Sequence, residues 1–86
     1  MESYNIEFKR SVEKDVRKIP KSNVSVIIEK IKPLSSNPFP SGIVKLRNTE
    51  NIYRLRAGDY RIVYQVITES NTVIIHYIRH RKDAYR

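Results

Sequence analysis

Hydrophobic positions in the first half of the chain follow two different spacings. The segment Tyr4 to Phe8 (YNIEF) alternates and contains aromatic and β-branched residues, which predicts a short first strand. From Ser11 the period lengthens. Val12, Val16 and Ile19 recur at i, i+4 and i+7, Phe8 lies one step before them, Glu13 and Asp15 sit early, and Pro20 stops the run. That is the spacing of an amphipathic helix with its termination signal. A second helix is expected from about Ser22, with Val24, Ile27, Ile28, Ile31 and Leu34 on one face, closed by Pro33 and the loop SSNPFPSG. The two helices and their short turn predict an antiparallel helical hairpin.

After Gly42 the pattern becomes β-like. IYRLRAGDYRIVYQVI alternates on both sides of Gly58-Asp59, the signal for a tight hairpin. TESN separates it from TVIIHYIRH, a third run rich in β-branched and aromatic residues. The expected fold class is α+β: an N-terminal strand, the helical hairpin, then a mainly antiparallel sheet ending in a three-strand meander, with the helices on one face. No repeat, low-complexity stretch or linker divides the chain, so residues 1–86 are read as one domain.

Alternation also sorts the side chains of the hairpin. If Gly58 and Asp59 are the loop, Ala57 pairs with Tyr60 and Arg56 lies opposite Arg61. Arg54, Arg56 and Arg61 then share one face, while Tyr53, Leu55, Tyr60, Ile62 and Tyr64 share the other and make the core. A solvated outer face accounts for a single exposed arginine. Three on one face, two of them directly opposed, are mutually repulsive. No acidic residue of the hairpin shares that face, and guanidinium forks match phosphate oxygens. The third strand extends this surface in one of two ways. A three-residue loop before it puts Val73, Ile75, Tyr77 and Arg79 on the arginine face; a two- or four-residue loop puts Ile74, His76 and Ile78 there. The sequence leaves both open.

Composition sharpens the picture. Seventeen Lys and Arg against nine Asp and Glu give a formal charge of +8, which favours a polyanion: nucleic acid, an acidic membrane or an acidic protein. The absence of cysteine excludes disulfides, thiolate catalysis and cysteine-based zinc sites. No apolar run approaches the ~20 residues that span a bilayer, and MESYNIEFKR contains no signal-peptide apolar region. A cytoplasmic protein without a membrane partner is therefore expected.

The chain closes on IRHRKDAYR, either a frayed basic tail or the working end of a site for a polyanion. YRLRAGDYRIVYQV followed by this element, with Lys45-Leu46 and the helical hairpin before it, resembles the RelE/ParE superfamily of toxin–antitoxin toxins, and the RelE branch most closely. The resemblance covers nearly the whole chain. It implies an endoribonuclease that cuts messenger RNA in the ribosomal A site and is held inactive by a cognate antitoxin in a hetero-oligomer. It implies no metal and no cofactor: the substrate 2′-hydroxyl attacks the neighbouring phosphate, and side chains supply charge and proton transfer.

By position, Arg61 matches the arginine that stabilises phosphate charge, and Arg81 a transition-state stabiliser or general acid. Tyr85 matches a late aromatic that stacks or orients a nucleotide, although a packing role would also suit it. Arg54 and Arg56 fall where relatives carry basic residues, one of which helps remove a proton. His80 stands where some relatives have His and others Lys, and is the candidate proton carrier; His76, mid-strand, reads as structural. Lys45, Arg47, Arg79, Lys82 and Arg86 complete the expected RNA-binding surface. The sequence departs from the family at Arg79 and Asn48, both frequently glycine. The alternative within the same fold is a ParE-like inhibitor of DNA gyrase that cleaves nothing; a noncatalytic RNA-binding module is a third reading.

Overall fold

The computed structural model describes residues 3–82. Its elements run β1 (Asn5–Phe8), α1 (Arg10–Arg17), α2 (Lys21–Ile31), a 3-10 turn (Lys32–Ser35), β2 (Val44–Lys45), β3 (Ile52–Ala57), β4 (Tyr60–Ile67), a second 3-10 turn (Thr68–Ser70) and β5 (Thr72–His80). The α+β class and the β3-β4-β5 meander are as the pattern predicts. Pro20 separates the helices, and its carbonyl accepts the first bonds of α2 from the N–H groups of Asn23 and Val24.

Five strands form one sheet in the order β1-β5-β4-β3-β2. β1 runs parallel to β5, Asn5 beside Thr72 and Phe8 beside Ile75; the other neighbours are antiparallel. β2 is an addition to the sequence reading, two residues too short to carry a pattern. Both helices cover one face of the sheet. There Val12, Ile19, Ile27, Ile31 and Leu34 meet Leu55, Ala57, Ile62, Tyr64, Val66, Val73, Ile75 and Ile78. Tyr64 is wholly buried, and its hydroxyl donates to the Pro38 carbonyl at 2.9 Å, which pins the SSNPFPSG loop onto the core. Phe39 and Tyr53 continue the contact, edge-on at 5.4 Å.

The β3–β4 turn has the expected register, Ala57 with Tyr60 and Arg56 with Arg61. Gly58 takes φ 62° while Asp59 stays at negative φ, the glycine-first arrangement that suits a two-residue hairpin loop. Asn48 has φ 60°, and asparagine is among the few side-chain-bearing residues that enter the left-handed region readily.

β5 resolves the open register by using both alternatives. Its first half pairs Thr72 with Ile67 and Ile74 with Gln65, as a four-residue loop requires. Its second half pairs Tyr77 with Val63 and Arg79 with Arg61, as a three-residue loop would. The change falls at a bulge between Ile75 and Tyr77, where His76 is the extra residue. α1 holds this irregular stretch from the side on which β1 has already ended. The Lys9 N–H donates to the Ile75 carbonyl at 3.0 Å, the Ser11 hydroxyl to the His76 carbonyl at 3.0 Å, and the Ile78 N–H to the Asp15 carboxylate at 3.1 Å. Ser11 and Asp15, four apart on one helix face, thus serve backbone groups that a longer β1 would have paired.

Candidate nucleic-acid interface

The sheet face turned away from the helices carries its side chains in rows across β3, β4 and β5. Nearest the Gly58-Asp59 turn, Arg56, Arg61 and Arg79 stand side by side on three adjacent strands. Neighbouring strands lie ~4.8 Å apart, so the row sets three arginine side chains next to one another on one face. The next row is Arg54, Val63 and Tyr77, and the one beyond it is Ile52, Gln65 and Ile74, with the bulge residue His76 reaching Gln65 from between the two rows. Val63 is buried in the middle of this face, between Arg54 and Tyr77.

Each arginine is placed by a different local constraint. Arg56 is exposed, and its Nε donates to the Gly58 carbonyl at 3.3 Å. Arg61 is half-buried, with its Nε enclosed. Arg79 lays its guanidinium over the Tyr77 ring, 4.5 Å from the centroid, a cation–π contact within one strand. Arg81 follows β5, and its N–H donates to the Asp59 carbonyl at 2.7 Å. That bond ties the exposed start of the C-terminal cluster to the hairpin turn at the end of the arginine row.

Several expected members of the surface lie elsewhere. His80 does not reach the arginine face. Because Arg79 points outward, alternation turns His80 to the helix side, where it pairs with Tyr60; the two rings meet edge-on, centroids 5.3 Å apart. Its Nδ1 accepts the Lys82 N–H at 3.2 Å, and Asp15, Lys18 and Ile19 share its shallow cleft. Lys45 pairs with Tyr53 and so takes the helix-side parity at the sheet edge; Val44, beside Arg54, occupies the outer face. Arg47 is exposed between β2 and β3, and Lys82 is exposed just after β5. Tyr85 and Arg86 fall outside the described residues.

By sequence His76 reads as structural, and Gln65 carries no signal of its own. The bulge turns His76 to the outer face, and its Nε2 lies 2.9 Å from Gln65 Oε1. Burial, helped by the nearby Lys9 ammonium, lowers the His76 pKa from its ordinary value, so the ring is neutral at pH 7. Among the described residues no three His, Asp or Glu side chains converge as metal ligands, and no helix is long and apolar enough to cross a membrane.

Comparison with known proteins names both branches of one superfamily. A family model described as the ParE toxin of the type II toxin–antitoxin system, parDE, matches residues 6–85. RelE1 of Methanocaldococcus jannaschii is 34% identical over 86 residues, covering 96% of each chain. Toxin RelG of Mycobacterium tuberculosis is 30% identical over 84 residues, covering 96% of this chain and 97% of that one. Among solved structures, the archaeal RelE–RelB complex from Pyrococcus horikoshii superposes with TM-score 0.82 at 27% identity, over 92% of this chain and 96% of that one. The intact Escherichia coli RelBE toxin–antitoxin complex gives TM-score 0.78 at 28% identity, over 91% and 96%.

Proposed function

The chain belongs to the RelE/ParE family of type II toxin–antitoxin toxins, and from that membership we propose that it is an endoribonuclease cutting messenger RNA in the ribosomal A site. The observation that carries the reading is the row Arg56, Arg61 and Arg79 with Arg81 tethered at its end. In phosphodiester cleavage by the neighbouring 2′-hydroxyl, negative charge builds on the non-bridging oxygens. Fixed cations aimed at those oxygens are usually the largest catalytic contribution. Arg61, half-buried on the central strand β4, is assigned to that charge. Arg81 neutralises the leaving 5′-oxygen or protonates it, and Arg54 or Arg56 assists removal of the 2′-hydroxyl proton. Tyr85 is assigned by family position to stack or orient a nucleotide. His80, on the opposite face, is given no contact with substrate. Lys45, Arg47, Arg79, Lys82 and Arg86 supply backbone attraction around the site.

Binding of the message in the decoding site supplies the ordering that a small enzyme without a strong base requires. The same face, left bare, is a surface for a cognate antitoxin with an acidic, partly helical segment; relatives have been crystallised with RelB. The test is cleavage of a short message on purified, programmed ribosomes by the wild type, Arg81→Ala and Tyr85→Phe. Cuts at the A-site codon that disappear in Arg81→Ala support the assignment. Absence of cuts with folded protein sinks it. Gyrase inhibition is kept as the second reading because the matching family model is described as a ParE toxin; a supercoiling assay decides that case.

A further inference from the structure

The bulge in β5 has a selective effect on what faces outward. Had the register of Thr72–Ile75 continued without interruption, Ile78 would join the arginine face, and Tyr77 and Arg79 would turn to the helices. One extra residue reverses this. It sends Ile78 into the core, where it is 3% exposed, and presents Tyr77 and Arg79 outward beside Val63 and Arg61. Three bonds from Lys9, Ser11 and Asp15 hold the irregular stretch in place. Bulges commonly re-aim side chains beside active sites, and this one does so at the edge of the proposed cleavage surface.

The outer face consequently changes chemistry from row to row. First comes the line of three arginines. Two residues further along, a step of ~6.8 Å, come Arg54 on β3, Val63 on β4 and the Tyr77 ring on β5. Arg79 covers one side of that ring. Beyond Tyr77, Gln65 and His76 form a hydrogen-bonded amide–imidazole pair. Cation, aromatic plane and neutral donor–acceptor pair follow one another at a spacing a single nucleotide bridges. They match in order a phosphate, the plane of a base and the edge of that base.

We propose that Tyr77, Gln65 and His76 form a nucleobase subsite adjoining the arginine row, in which the Tyr77 ring stacks on a base whose phosphate lies over Arg61 and Arg79 and the Gln65–His76 pair contacts the base edge. The inference rests on the RNA-directed reading above, but on binding and not on cleavage. Arg79 acts here as a positioning residue: its guanidinium buttresses one side of the ring and fixes the plane offered to the base. Gln65, its Oε1 accepting from His76 Nε2, offers its amide N–H groups to a carbonyl or ring-nitrogen acceptor. The subsite therefore selects among bases by edge chemistry as well as by stacking.

The experiment has two readouts. The first is equilibrium binding of a short 2′-O-methyl oligoribonucleotide, which cannot be cut, to the purified chain at low and moderate salt. Tyr77→Leu keeps apolar cover over Val63 but removes the aromatic plane, and it should weaken binding roughly 10- to 100-fold at both salts. Tyr77→Phe should recover most of that loss. Circular dichroism melts on each variant confirm that the comparison is between folded proteins. The second readout is the distribution of cuts over a codon library on programmed ribosomes, where Gln65→Ala should flatten the preference at one codon position. The proposal is overturned if Tyr77→Leu binds as the wild type does, if Tyr77→Phe is no better than Tyr77→Leu, or if the wild type itself does not bind. Tyr77-dependent binding without any cleavage upholds the subsite and removes the endonuclease reading instead.

Discussion

Replacing Tyr64 by Phe, and following stability against pH, tests the account of the core. The Tyr64 hydroxyl is fully enclosed and donates to the Pro38 carbonyl at 2.9 Å. Removing it leaves that carbonyl unsatisfied, a loss of about 1 kcal/mol at neutral pH. Burial, with the neighbouring Tyr53 adding to it, pushes the Tyr64 pKa up to about 12. The unfolded chain ionises this group at its ordinary value near 10, so the unfolded state loses its proton first and stability falls as pH rises between the two values. A two-unit difference corresponds to about 2.7 kcal/mol in full, of which about 1.4 kcal/mol is already lost near pH 11. Wild type should therefore be the more stable protein at about pH 8, equal to Tyr64→Phe at about pH 11, and less stable above that. Urea titrations followed by circular dichroism at half-unit intervals read the crossing. Other tyrosines and lysines titrate in the same window but cancel in the difference between the two proteins. A difference that stays constant from neutral pH upward would refute the reasoning, since it would mean that Tyr64 is not held neutral by its surroundings.

Other outcomes are as definite. Asp15→Ala removes the acceptor of the Ile78 N–H and should destabilise by about 1–2 kcal/mol, with Asp15→Asn retaining part of it, as thermal melts would report. Arg61→Ala should lower cleavage on programmed ribosomes by roughly 100- to 1,000-fold with the fold intact; an effect smaller than tenfold would remove Arg61 from its assigned role. His80→Ala should lose about 0.5–1.5 kcal/mol of ring contact with Tyr60 yet cut RNA at close to the wild-type rate, and abolished cutting would return His80 to the site. Because the folded pKa of His76 lies below its unfolded value, protonation favours the unfolded chain; stability should fall as pH drops below about 6.5, and His76→Gln should be flatter over that range.

The hairpin was legible in the sequence because Gly58-Asp59 fixes the turn, and a fixed turn fixes every pairing from Arg56–Arg61 outward. With the turn known, strand alternation alone separates Arg54, Arg56 and Arg61 from the core residues. β5 was not legible in the same way. Its register changes at His76, and the groups that hold the change, Ser11 and Asp15, are 65 and 63 residues from the backbone atoms they serve. No local pattern encodes such a bond. The placement of His80 was within reach of the sequence: in the register that turns Arg79 outward, alternation sends His80 to the other side. The parallel pairing of β1 with β5 has no local signal either, since YNIEF reads the same whichever neighbour it finds.

The His76 bulge also bears on how this strand tolerates changes in length. On either side of it the outward residues are Ile74, then Tyr77 and Arg79, and the inward ones are Ile75 and Ile78. Excising His76 alone would restore an unbroken two-residue repeat in which each of these keeps its side. A deletion there should cost the Gln65 contact and the fit to Ser11 and Asp15 while every remaining residue keeps its side, and a melt of the variant would show a folded protein. Deleting Ile75 or Tyr77 would instead remove a core or surface position outright. Descendants of this chain can thus lose one residue from the middle of the sheet and still present the same arginines and Tyr77, while giving up the amide–imidazole pair beyond them.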